Sequence, residues 1–153
     1  MALIASTLLA AGIAIARSTV TPFTMTETTS GSVYPGQWSF LPGGNTHVRG
    51  LVSEYLETAN DPRMSGKIRV VLNANLDSNL TGPIWGTFHG QIGEGVWDGT
   101  ANGNFNFQTG LGDYDAVGHG SGVFDGLQSM WHCVYYVRGE GTCTGRILDT
   151  KGQ

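Results

Sequence analysis

The run Val117-Gly118-His119-Gly120-Ser121-Gly122-Val123 decides the fold. Its three glycines alternate, so in an extended chain they share one face. Val117, His119, Ser121 and Val123 share the other. A strand face without side chains allows sharp coiling, or lets a large residue of a neighbouring strand approach the backbone closely. Trp97, Phe105, Phe107, Trp131 and Tyr135 are aromatic residues available to fill that space. The glycines do not read as a phosphate-cradling loop, because such a loop joins a strand to a helix and no helix signal follows. The run is therefore the most curved or most tightly packed wall of a β-structure.

Outward from this wall, strand signals recur at short spacing. They cover His47–Leu56, Lys67–Leu76, Ile84–His89, Gly95–Phe107, Tyr114–Phe124, Leu127–Val137 and Thr142–Leu148. In Lys67–Leu76 the residues Ile68, Val70 and Leu72 fall on one face. Asp61-Pro62 and Asp77-Ser78-Asn79 supply the turns around that strand. Trp85-Gly86-Thr87 and Trp97-Asp98-Gly99-Thr100 echo one another, but too briefly to define a repeat. Phe23-Thr24-Met25-Thr26 alternates and supplies one further strand. Eight strands joined by short connections, without helical crossovers, predict an antiparallel meander closed into a barrel, with a β-sandwich as the alternative. Residues 47–153 form the expected barrel domain. Residues 17–46, rich in Thr, Pro and Gly, read as an arm with one possible strand.

Composition agrees. The 153 residues suit one domain. Hydrophobic residues make up 40%, enough for a core, whereas charged residues are only 13% and Gly numbers 24. Low charge with abundant Gly and few helix-forming runs favours strands and tight turns. The net charge is -4, and Arg63, Lys67 and Arg69 are the densest basic group, so no basic face exists for a nucleic-acid partner.

Residues 1–16, MALIASTLLAAGIAIA, are apolar and uncharged and end in Ala14-Ile15-Ala16, a small-x-small cleavage pattern. They read as a signal peptide, with Arg17 the first mature residue and a retained apolar segment as the alternative. The run is shorter than the about 20 residues that span a bilayer, so no stable membrane insertion is expected after processing. No basic residue precedes the apolar run. Cys133 and Cys143 flank Arg138-Gly139-Glu140-Gly141. A hairpin there sets them opposite each other on one face, where a disulfide is geometrically possible. Both features predict export to a secreted, periplasmic or extracellular location.

Taken together, Gly118 to Gln128, Trp97-Asp98-Gly99-Thr100 and Trp85-Gly86-Thr87-Phe88 resemble small exported bacterial β-barrel proteins of unknown function. In outline, residues 47–148 are similar to the eight-stranded barrels of allene oxide cyclases and dirigent proteins. That resemblance implies an apolar or phenolic ligand inside the barrel, steered through cyclisation or coupling without a metal. No catalytic motif of those families can be placed on this chain.

Few residues form a chemical signature. His89, His119 and His132 lie on strands that a barrel could bring together, but no pair has metal-ligand spacing, so neither metal nor cofactor is expected. Glu54 and Glu57 bracket Tyr55, and Asp113 and Asp115 bracket Tyr114; both pairs read as a solvated rim. His119 and Ser121 share a face, but the elbow that exposes a catalytic serine is missing. Asn79-Leu80-Thr81 is a glycosylation sequon in a turn. The leading expectation is a barrel that binds or steers a small apolar or aromatic ligand. His89, His119, His132, Tyr135, Trp97 and Trp131 are its candidate ligand contacts. The alternatives are an extracellular structural protein, homo-oligomeric by strand addition through residues 18–30, and a metal-free isomerase or cyclase.

Overall fold

The computed structural model describes residues 19–151. The expected signal segment, residues 1–16, and Arg17 lie outside the described residues. The strands are β1 (Thr19–Tyr34), β2 (Gln37–Phe40), β3 (Thr46–Ala59), β4 (Gly66–Leu76), β5 (Thr81–Ile92), β6 (Gly95–Asn106), β7 (Leu111–Gly122), β8 (Leu127–Val137) and β9 (Glu140–Asp149). All neighbours pair antiparallel, from β3 in sequence order to β9, then to β1, and β1 pairs back onto β3. The short strand β2 continues the line of β1 along β3, with Tyr34 opposite Val52 and Gln37 opposite Arg49. The result is a closed eight-stranded barrel, not a sandwich. Closure leaves the sheet without a long open edge.

The segment expected as an arm forms a wall of this barrel. Thr19–Thr28 pair with β9 and Met25–Tyr34 pair with β3. Threonine is at home on a pleated strand, and Phe23, Met25 and Glu27 alternate inward and are buried. Pro22 sits in the stretch paired with β9 alone, where a missing N–H is tolerated. Of residues 18–30, nominated for strand addition, those from Thr19 onward therefore spend much of their ladder on the barrel itself.

The glycine face of β7 points inward. A Cβ on Gly118 would stand 2.6 Å from Ser129 Oγ and 3.1 Å from Phe88 Cζ. Gly99 on β6 leaves room for the same ring, and Gly95 and Gly120 leave room for Phe124. The space is thus filled by Phe88 and Phe124, rather than by the five aromatic residues expected from the sequence. Phe88 packs on Trp131 with ring centroids 5.1 Å apart, and Trp131 also meets Phe23 at 6.5 Å.

One end of the barrel is plugged. A 3₁₀ turn, Pro62–Met64, starts at Asp61, whose side chain accepts from Arg63 N–H. It places Met64 in the core. Trp97 Nε1 donates to Arg63 O at 2.8 Å, and its ring stacks on Phe124 at 5.2 Å. Cys133 and Cys143 lie opposite each other on β8 and β9, fully buried, with Cα atoms 4.0 Å apart, and form a disulfide inside the wall. The other end carries the β6–β7 and β8–β9 turns and remains open.

Candidate functional site

The inward positions of β3, β4, β5 and β6 carry Leu51, Ile68, Val70, Leu72, Ile84 and Ala101. With Phe88, Phe105 and Trp131 they line a cavity of about 270 Å³ above the plugged end. A small inward residue helps make the room: Ala101 stands where a larger side chain would narrow it. The mouth lies between Thr29, the β6–β7 turn at Phe107 and Gly110, and the β8–β9 turn at Arg138 and Gly139. An engineered apolar cavity of about 150 Å³ takes a benzene ring, so this volume suits roughly two fused rings.

Among the described residues one acid, Glu27, lines the cavity. Glu27 on β1 follows Phe23 and Met25 at the strand period, so the same alternation that buries those two buries the carboxyl. Tyr114 of β7 donates to Glu27 Oε2 at 2.7 Å, and Tyr135 of β8 donates to Oε1. Trp131 Nε1 reaches the Tyr114 hydroxyl at 3.5 Å. Two hydroxyls thus donate to one carboxyl, and the indole donates to one of those hydroxyls, an arrangement that suits the ionised form. Burial nevertheless raises the Glu27 pKa, because the two hydroxyl bonds only partly offset desolvation.

Directly across the ladder from Glu27 is Glu57 of β3. It is 3% exposed, and its Oε1 has no hydrogen-bond partner. Burial, and then the neighbouring Glu27 charge, hold its pKa well above the usual carboxylate range. Tyr55 is pushed up to about 12 by burial and then by Glu27, against a hydrogen bond with Ser53. Tyr114 and Tyr135 are raised for the same two leading reasons. The cluster therefore keeps its three phenols neutral and holds Glu57 in its protonated form more readily than Glu27.

Of the residues nominated from the sequence, Tyr135 and Trp131 line the cavity, whereas Trp97 belongs to the plug. The three histidines do not reach the interior. Their strand neighbours Phe88, Gly118 and Trp131 face inward, so alternation turns His89, His119 and His132 outward, where all three are exposed. His89 Nδ1 meets Asp98 at 2.7 Å and His132 Nδ1 meets Asp115 at 3.0 Å, each across one strand pair. Asp113, Asp115 and Ser121 are likewise exposed, and Asn79 sits in an exposed turn. Glu57, expected on a solvated rim, is instead buried beside Glu27. Glu27 was the residue missed, although it is the one charged side chain between 18 and 46 and shares a face with Phe23 and Met25.

Among the described residues, no three His, Cys, Asp or Glu side chains gather as a metal site, and no helix is long and apolar enough to cross a membrane. No family model, curated protein or solved structure matches the chain.

Proposed function

We propose that this protein is an exported barrel that binds a small apolar or aromatic molecule in its cavity, with the Glu27–Tyr114–Tyr135 cluster as the polar anchor. One observation carries this reading: a hydrogen-bonded carboxyl sits in an apolar cavity that is open at one end of an otherwise packed barrel. An eight-stranded barrel is just wide enough either to be filled by side chains or to hold one small ligand. Burying an acid in its core weakens the fold, which is a reason to look for a use of the acid beyond stability. Apolar walls with a few convergent polar groups are the usual make-up of a small-molecule site. The buried Cys133–Cys143 disulfide suits an oxidising compartment and supports export.

A second reading, a metal-free isomerase or cyclase, is favoured by Glu27 itself. A carboxyl with a raised pKa, flanked by two phenols, is suited to moving a proton on a bound apolar substrate. The experiment for the first reading is a calorimetric titration with 1-naphthalenemethanol, a neutral two-ring probe. Saturable one-to-one binding is expected in the wild type and in the outer-face variant Val71→Ala, and loss of binding is expected in Leu72→Trp, which fills the cavity. Binding that survives in a folded Leu72→Trp places the probe elsewhere and overturns the reading.

A further inference from the structure

The charge balance of the cavity points to the kind of ligand. Glu27 is held in the cavity wall by two hydroxyl donors and faces Glu57 and Tyr55 of β3, Tyr114 of β7 and Tyr135 of β8. None of these groups is a cation. Among the described lining residues the one cationic side chain is Arg138, exposed in the turn at the mouth, where its guanidinium stays in water. A carboxylate in an apolar cavity without a counter-ion is costly, and a second buried acid beside it adds to the cost. The same cavity is lined by the rings of Tyr55, Phe88, Phe105 and Trp131. Aromatic faces attract a cation from the side, at little desolvation cost to themselves. Carboxylate and aromatic walls together make a cation site that no described residue fills.

Resting on the ligand-binding reading above, we infer that the ligand is a primary amine on an aromatic or compact apolar body, its ammonium seated on Glu27 and its hydrocarbon among the β4 and β5 side chains. The ammonium supplies the missing counter-charge. Its three N–H donors match the Glu27 oxygens and leave the Tyr114 and Tyr135 hydroxyls to complete the shell. A carboxylate-headed ligand of the same shape would bring like charge to Glu27. It would gain only the screened Arg138 at the rim.

Three probes that share one naphthylmethyl body decide this with the intact protein: 1-naphthylmethylammonium, 1-naphthalenemethanol and 1-naphthaleneacetate, each titrated calorimetrically at about pH 7.5, where the amine is cationic. The ammonium is expected to bind about tenfold or more tighter than the alcohol, with the acetate weakest, since a desolvated ion contact far outweighs one in water. In Glu27→Gln the preference for the ammonium over the alcohol should be lost. Equal affinity for ammonium and alcohol overturns the amine inference and leaves the cavity reading standing. Tightest binding of the acetate also overturns it, and assigns the head group to Arg138. Binding of none of the three overturns both. The wild-type comparison decides even where Glu27→Gln fails to fold, and Tyr135→Phe, which keeps the carboxyl, should retain the preference for ammonium.

Discussion

Glu57→Gln should change how stability depends on pH, and the sign follows from burial. In the unfolded chain a glutamate loses its proton near its ordinary pKa of about 4.3. In the native barrel burial and the facing Glu27 hold Glu57 protonated well above that. Below the unfolded value both states carry the proton, and the native environment contributes its full stability. As pH rises toward the native pKa the unfolded state alone releases the proton, and stability falls by about 1.4 kcal/mol per pH unit. Glu27 is raised as well, so it adds a slope of the same sign. The two acids face each other, so the slopes belong to the pair and not to either residue separately. Glutamine removes the titrating proton at almost the same volume, and it also removes like charge from beside Glu27. Urea unfolding followed by tryptophan fluorescence, between about pH 5 and pH 8, reads the effect. The wild type should lose stability across that range, and Glu57→Gln should run flatter by about 1 kcal/mol or more per unit. Parallel profiles for the two proteins would refute the buried, protonated Glu57.

Other perturbations test the walls. Ser129→Ala should be neutral or slightly stabilising by thermal unfolding, because Ser129 Oγ is buried without a partner. Gly118→Ala should cost about 1–3 kcal/mol, since its Cβ would crowd Ser129 Oγ and Phe88. Its cost should shrink in the Ser129→Ala background, and an additive double mutant would contradict the packing described. Replacing Cys133 and Cys143 together by Ala should lower stability by about 3 kcal/mol, from the short loop they close, as read from the urea midpoint.

The strand pattern was legible because period-two alternation and turn residues are local signals. Seven of the strands from β3 onward fall where Gly, Asp-Pro and Asn punctuation sets them. The first wall was harder to read. Between 18 and 46 threonine, proline and glycine give the composition of a loop, and only the distant partners β9 and β3 make the segment a strand. The polarity of the glycine strand was also ambiguous. An empty face is either outside or opposite a bulky neighbour, and Phe88, which settles it at Gly118, is far away in the sequence, whereas Phe124 folds back onto Gly120 from the turn that follows. Once the glycines face inward, His119 must face outward. The same parity would have placed Glu27 with Phe23 and Met25, against the strong expectation that acids lie at the surface. Glu57 was hidden similarly, because its burial depends on Glu27 across a pairing that sequence alone does not reveal.

The occupant of the cavity can be located directly. With 1-naphthylmethylammonium bound to isotopically labelled protein, intermolecular nuclear Overhauser effects should connect the naphthyl protons to the methyl groups of Ile68, Val70, Ile84 and Ala101, which face the cavity. Effects confined to outer-face residues such as Val71 and Val123, or no effects at saturation, would contradict the claim that this barrel is hollow and built to hold a ligand over Glu27.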